Sequence, residues 1–130
     1  MDTSYLAQAP FFSELSEQDR AAIAPYAALT RVGAGKCLVS EGDFSYEFMV
    51  IDEGTAEVTR NGEKVAELGP GDLIGEMGVL ERSVRNATVT AKTPMTLVTL
   101  TSWDARRLAK THPQVMEQVR RVAESRVPSS

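Results

Sequence analysis

Residues 75–89 read GEMGVLERSVRNATV, and this stretch carries the strongest signal in the chain. Glu76 and Arg85 stand nine residues apart, around a short apolar turn that begins at Gly75 and leads into an alternating strand from Ala87. Backbone N–H groups at the start of a short helix after Gly75 would point at an anion. The Arg85 guanidinium adds a fork that matches phosphate oxygens. The pattern predicts a pocket for a small anion.

Glu76 needs a different role, because a carboxylate does not bind an anion. The role that fits a carboxylate beside a phosphate site is to accept hydrogen bonds from a ribose hydroxyl, so a nucleotide satisfies both charged side chains. The simpler alternative is a surface ion pair between Glu76 and Arg85, worth ~0 to 1 kcal/mol. Gly75, Gly78 and the alternation after Arg85 are not needed for such a pair, and they favour the nucleotide.

The stretch resembles the phosphate-binding cassette of the cyclic nucleotide-binding domain, a family shared by catabolite-activator-type regulators, kinase regulatory subunits and gated channels. The matching positions are Gly75, Glu76, Met77, Gly78, Arg85, Asn86, Ala87 and Val89. Residues 38–43, 48–58 and 68–72 resemble other parts of the family pattern, so that the resemblance covers roughly residues 9–120. Two positions depart from it: Val84 stands where many members have proline, and Asn86 where alanine, serine or threonine is usual.

The resemblance implies a regulatory sensor that binds cyclic AMP first and cyclic GMP second, without catalysis and without a catalytic cofactor. Glu76 would bind the ribose 2′-hydroxyl, Arg85 the cyclic phosphate, and Val58 and Val65 the base. Backbone amides of Met77, Gly78 and Asn86 would complete the anion site. The expected ligand-binding residues are therefore Gly75, Glu76, Met77, Gly78, Arg85, Asn86, Ala87, Val58 and Val65.

The composition indicates a small soluble module. With 130 residues the chain can bury a single core, so we expect one domain over residues 1–130. The chain has 14 basic and 18 acidic residues, a net charge of −4 and no cluster of five Lys or Arg, so neither nucleic acid nor a membrane is expected as a partner. The N-terminus lacks the pattern of a signal peptide, and no stretch has the ~20 apolar residues that span a bilayer. A cytoplasmic protein is expected.

The apolar pattern predicts a mainly β fold with flanking helices: an antiparallel, jelly-roll-like β roll with an N-terminal helix, a short cassette helix and two C-terminal helices. Ser16 caps the expected N-terminal helix within residues 10–28. The β roll covers residues 29–100 and includes a hairpin at Asn61-Gly62. Thr101 or Ser102 begins the C-terminal helices, which cover residues 102–126 and restart at Pro113.

The residue counts disfavour an enzyme. One cysteine and one histidine, Cys37 and His112, provide no credible catalytic pair, and the single histidine disfavours a metal-dependent cupin, another small β roll. Cys37 is expected to be a small buried hydrophobe, and Trp103 a packing anchor at the start of a helix.

The alternative function is a β roll that has lost its ligand and serves as a dimerisation or docking module. Its contact surface would be the apolar stripe of the last helix, at Val115, Val119 and Val122. The same C-terminal helix is the expected contact for a homodimer or an effector domain if nucleotide binding is retained.

Overall fold

The fold is taken from a computed structural model, which describes residues 1–42, 47–74 and 87–126. The described helices are α1 (Thr3–Gln8), α2 (Glu17–Ile23), α3 (Ser102–Thr111) and α4 (Pro113–Arg126), with 3-10 helices at Phe12–Glu14 and Ala24–Tyr26. The described strands are β1 (Ala28–Val32), β2 (Cys37–Val39), β3 (Glu47–Glu53), β4 (Ala56–Arg60), β5 (Glu63–Leu68), β6 (Leu73–Ile74), β7 (Thr88–Ala91) and β8 (Met95–Thr101). This order of elements confirms the predicted β fold with flanking helices. The predicted cassette helix lies outside the described residues.

The helices begin where local side chains satisfy their first N–H groups. The Ser16 hydroxyl accepts a hydrogen bond from the Asp19 N–H at 3.1 Å and caps α2. The Thr101 hydroxyl accepts from the Asp104 N–H at 3.2 Å and caps α3. Helix α4 begins at Pro113, as predicted. Helix α1 lies before the predicted N-terminal helical segment of residues 10–28 and is an addition to it.

The strands form two antiparallel sheets of four. Sheet A has the order β1-β8-β3-β6, and sheet B has the order β2-β7-β4-β5. Strand β6 ends in sheet A at Ile74, and strand β7 begins in sheet B at Thr88. The segment that contains Glu76 and Arg85 therefore runs, along the chain, from one sheet to the other.

The hairpin between β4 and β5 turns at Asn61 and Gly62, as predicted. Their φ angles of 54° and 80° both lie in the left-handed region, which is the signature of a type I′ turn. Further along the hairpin, Val58 pairs with Ala66 and Thr59 pairs with Lys64. Val65 thus lies at a register shift, where two residues of β5 oppose one of β4.

The central strands β3 and β8 of sheet A are buried on both faces, because sheet B covers one face and the helices cover the other, whereas β1 at the sheet edge is largely exposed. Met49 and Ile51 of β3 face a cluster between the sheets, which we call the roll core. Phe48 and Val50 of the same strand face a cluster beneath the helices, which we call the helix-side core. Strand β8 divides in the same way, with Met95 and Leu97 in the roll core and Val98 and Leu100 in the helix-side core.

The apolar stripe of α4 lies inside the chain. Val115, Met116 and Val119 are 1%, 8% and 3% exposed and belong to the helix-side core, and Val122 packs partly buried against it. The docking alternative is wrong in this respect, since the surface that it requires is already covered by the N-terminal helices and sheet A.

Two predictions about single side chains are also wrong. Cys37 is exposed rather than buried, because it begins β2 at the edge of sheet B, with its Sγ 3.2 Å from the Ser40 Oγ. Trp103 is 74% exposed, because α3 buries the opposite face through Ala105 and Leu108. No described helix is long and apolar enough to cross a membrane.

Candidate functional site

The predicted ligand-binding residues divide into two groups. Gly75, Glu76, Met77, Gly78, Arg85 and Asn86 lie outside the described residues, and their roles stay predictions. Ala87, Val58 and Val65 are described. The geometry of the site is therefore built from the two strands that lead into and out of residues 75–86, and from the side chains that hold those strands.

The approach to the site is fixed by strand β6 and the turn before it. The Asp72 carboxylate accepts a hydrogen bond from the Gly69 N–H at 2.8 Å, and the Asp72 carbonyl accepts from the Ile51 N–H at 3.0 Å. Ile74 then pairs with Met49 of β3 and is 3% exposed in the roll core. The chain is thus anchored up to the residue before Gly75.

The exit from the site is anchored in the middle of sheet B. Ala87 is 9% exposed and packs in the roll core. A ligand that contacts Ala87, as predicted, would therefore lie against the edge of that core. Thr88 begins β7, which lies between β2 and β4, and pairs with Thr59. Two residues separate Arg85 from Thr88, and the position of Arg85 therefore depends on how the start of β7 is held.

Glu41 connects the first residue of β7 to the turn between β4 and β5. Its backbone N–H donates to the Thr88 Oγ1 at 3.1 Å, and its carboxylate Oε1 accepts from the Asn61 N–H at 2.9 Å. Glu41 follows β2, whereas Asn61 lies in the turn between β4 and β5, so the two bonds connect the segments on either side of β7 at its first residue. In the sequence, Glu41 lies in the segment 38–43 that resembles the family pattern, and nothing in that segment indicates its bonds to Thr88 and Asn61.

Val58 and Val65, the two predicted base contacts, have different surroundings. Val58 is 7% exposed and faces the roll core opposite Ala66. Val65 is 48% exposed at the register shift of β5. The described structure does not bring the two side chains together through the strand ladder, and their contact with a base stays a prediction.

Residues 1–42, 47–74 and 87–126 contain no cluster of three or more His, Cys, Asp and Glu that could hold a metal ion. The described groups at the start of β7 are the backbone N–H groups of Glu41 and Asn61, the Thr88 hydroxyl and the Glu41 carboxylate. Such groups position chain segments and hydrogen-bond a polar ligand.

A two-sheet antiparallel roll with helices packed on one sheet, in which a glycine-flanked Glu–Arg sequence follows β6 and precedes β7, defines the class of β-roll ligand-binding domains. The sequence model of the cyclic nucleotide-binding domain matches residues 29–112. A cAMP-dependent protein kinase regulatory subunit from Schizosaccharomyces pombe is 38% identical over 97 residues, which is 74% of this chain and 24% of that protein. The chain belongs to the cyclic nucleotide-binding domain family, and it spans about a quarter of the length of this relative.

Solved structures agree with this assignment. The N-terminal domain of a transcriptional regulator from Streptomyces coelicolor has a TM-score of 0.74 and 27% identity, covering 97% of this chain and 92% of that one. The catabolite activator protein of Thermus thermophilus has a TM-score of 0.75 and 25% identity, covering 91% of this chain and 58% of that one. The predicted resemblance is confirmed.

Proposed function

We propose that this chain is a cyclic nucleotide sensor whose preferred ligand is cyclic AMP, with cyclic GMP as the second choice. The observation that carries the proposal is the segment at residues 75–86, which lies within the family match and has its two ends anchored by β6 and by β7. The related regulatory subunit from S. pombe is named as cAMP-dependent, which supports cyclic AMP as the first ligand to test.

The proposed roles of the site residues follow from their chemistry. The Arg85 guanidinium binds the cyclic phosphate, with the amides of Met77, Gly78 and Asn86 as further donors. Glu76 accepts a hydrogen bond from the ribose 2′-hydroxyl. Val58 and Val65, with Ala87 nearby, supply apolar surface for the base.

We further propose that the chain acts by regulation rather than by catalysis, and in the cytoplasm. Binding would be transmitted to a homodimer partner or an effector domain through the C-terminal helices. The family match, which is to a ligand-binding domain, supports regulation.

Isothermal titration with cyclic AMP and with cyclic GMP tests the proposal directly. Arg85→Ala should weaken binding by about 2 to 5 kcal/mol, the usual cost when one partner of a buried charge pair is removed. Glu76→Gln should cost less, because the amide oxygen still accepts one hydrogen bond while charge assistance is lost. The proposal fails if the wild-type chain binds neither nucleotide. The phosphate role of Arg85 fails if Arg85→Ala binds as tightly as the wild type.

A further inference from the structure

Helix α3 presents an exposed face that the proposed nucleotide site does not use. Trp103, the single tryptophan of the chain, is 74% exposed on this face. Arg106, Arg107 and Lys110 follow at steps of three, four and seven residues, which places all four side chains on one side of a helix. The opposite side is buried through Ser102, Ala105 and Leu108. We call Trp103, Arg106, Arg107 and Lys110 the α3 face.

Arg106 lies beside the Trp103 ring and shares the α3 face with it. Its guanidinium lies 5.6 Å from the centre of the Trp103 ring. Within the described part of the chain, its Nε is buried and has no hydrogen-bond partner. Because the Nε has essentially no accessible surface, a partner's carboxylate would accept from the terminal guanidinium nitrogens of Arg106 rather than from the Nε.

The cations of the α3 face are not used elsewhere in the described structure. The ion pairs among residues 1–42, 47–74 and 87–126 join Lys64 and Lys92 to Glu67, and Arg121 to Glu117. The acid of α3, Asp104, accepts a hydrogen bond from the Thr101 hydroxyl at 3.0 Å at the helix start. Favourable interaction with the helix dipole explains a cation in the last turn, such as Lys110, but explains neither Arg106 nor an exposed tryptophan.

The charge of the chain is distributed unevenly. Residues 101–130 contain six basic and three acidic side chains, whereas residues 1–100 contain eight basic and fifteen acidic side chains. The C-terminal helices are thus cationic in a chain whose net charge is −4. The α3 face is complementary to an acidic partner, and an apolar side chain of that partner would cover the Trp103 ring.

We propose that the α3 face docks a short acidic polypeptide segment that carries at least one aromatic or other large apolar side chain. Ten residues of helix extend for about 15 Å, and an extended segment of about five residues spans that length. Carboxylates of the segment pair with Arg106, Arg107 and Lys110, and its apolar side chain packs on Trp103. This inference does not depend on nucleotide binding.

A polypeptide fits this surface better than a nucleic acid or a membrane. Duplex DNA carries one negative charge per about 1.7 Å and extends beyond a single helix, as does an anionic bilayer. Either would extend past the α3 face to the rest of the chain, where acidic side chains outnumber basic ones and repel a polyanion. A five-residue segment needs only the α3 face.

NMR titration of the full chain tests the proposal. The probe is a capped peptide with the sequence Glu-Asp-Phe-Glu-Asp-Glu, and the neutral control is Gln-Asn-Phe-Gln-Asn-Gln. We expect the acidic peptide to shift the Trp103 indole N–H and the amides of α3, with a dissociation constant of about 1 mM that weakens as salt is added. No response at α3, or an equal response to the neutral peptide, would overturn the proposal.

Two charge-reversal variants separate the α3 face from general electrostatics. Arg107→Glu with Lys110→Glu should weaken peptide binding roughly fivefold or more, because two of the three cations are reversed. Arg120→Glu with Arg121→Glu makes the same charge change on α4 and should alter binding by less than about twofold. Equal losses in both variants would overturn the assignment to α3. Tighter binding of random duplex DNA or of phosphatidylglycerol vesicles to the same face would overturn the choice of a polypeptide.

Discussion

Glu41 lies at the point where the chain leaves the proposed nucleotide site. It connects the segment after β2 to Thr88 and to Asn61 through a backbone donor and a side-chain acceptor. Because Arg85 comes shortly before Thr88, we infer that Glu41 is a positioning residue for Arg85 in its proposed phosphate-binding role. It would act through β7 rather than by touching the ligand.

Glu41→Ala should therefore free the Asn61 N–H and reduce stability by about 0.5 to 1.5 kcal/mol, the net value of one hydrogen bond. It should weaken nucleotide binding only modestly, because the backbone bond from Glu41 to Thr88 remains while the attachment of Glu41 to the β4–β5 turn is lost. Glu41→Gln, which keeps an acceptor oxygen, should restore most of the affinity. Titration calorimetry and the hydrogen-exchange rate of the Asn61 amide measure both effects. Glu63→Ala removes an exposed acid of β5 and controls for the charge change. Equal affinity of wild type and Glu41→Ala would exclude the positioning role.

Tyr5 links helix α1 to the β roll and gives stability a dependence on alkaline pH. Its hydroxyl donates a hydrogen bond to the Asp52 carboxylate. This bond, burial and the nearby carboxylates raise the pKa of Tyr5 from 10.0 to about 12. Because the folded pKa lies above the unfolded one, the stabilisation is complete below about pH 10 and is lost as the pH rises through about 12.

We expect denaturant unfolding to show this loss in the wild type and not in Tyr5→Phe. The loss should be small, because Tyr5 is 36% exposed and solvent screens the interaction. Asp52→Asn should lower the midpoint of the Tyr5 phenol in an ultraviolet titration, since the anionic acceptor is removed. An unchanged midpoint in Asp52→Asn would show that this contact does not control the tyrosine.

At the scale of the elements, two turn glycines allow the energetic cost of a left-handed backbone to be measured apart from the cost of a steric clash. Gly54, between β3 and β4, has a φ of 95°, and a Cβ placed there would lie 2.4 Å from the Pro94 carbonyl oxygen. Gly62, in the turn between β4 and β5, has a φ of 80° with nothing within 4 Å of such a Cβ. Both glycines have a left-handed φ angle, but only at Gly54 would an added Cβ meet neighbouring atoms.

Gly62→Ala should cost about 1 to 2 kcal/mol of unfolding free energy, from the left-handed backbone alone. Gly54→Ala should cost at least about 1 kcal/mol more, because the Cβ meets backbone that must move. Chemical denaturation of the two variants measures the difference. Equal destabilisation would mean that the turn after β3 relaxes without cost.

Elements governed by nearby residues could be predicted from the sequence. The caps at Ser16 and Thr101, the helix start at Pro113 and the turn at Asn61-Gly62 each depend on a few neighbouring side chains. Burial was harder to predict, since it depends on which strand lies at a sheet edge and which helix face meets the core. That is why the sequence predicts Cys37 and Trp103 to be in the interior, whereas both are exposed in the structure.

The candidate site likewise has features that depend on neighbouring residues, which the sequence predicts, and features that depend on the assembled sheets, which it does not. The residue types and spacing of the segment around Glu76 and Arg85 predict its chemistry, and the match to the family agrees with that prediction. The role of Glu41 could not be predicted, because Thr88 and Asn61 are distant in sequence and meet only when sheet B forms. Nor did the sequence indicate the register shift that exposes Val65.

At the scale of the whole molecule, sheet A is shared by two cores and joins the site to the C-terminal helices. Its inner face packs in the roll core with Ala87, and its outer face packs against α3 and α4 in the helix-side core. A ligand that binds one arrangement of these helices better than another shifts their populations by that difference in affinity.

We expect cyclic AMP at 100 times its dissociation constant to add about 2.7 kcal/mol of stability and to raise the melting temperature by roughly 10 °C. Hydrogen exchange should slow in residues 75–89 through contact with the ligand. It should also change in residues 114–126 if α4 relays binding. Slowing confined to residues 75–89 would mean that the chain binds nucleotide without transmitting the signal through its C-terminal helix.

The helix-side core also determines how this sensor could be transplanted into another protein. The family match covers residues 29–112, yet that core takes Leu6, Phe11, Phe12 and Ile23 from before this range and Val115, Met116 and Val119 from after it. A graft cut at the limits of the match would leave the outer face of sheet A, with Phe48, Val50, Val98 and Leu100, covered by α3 alone and partly open to water. The smallest portable unit of this sensor therefore includes the helices on both sides of the roll.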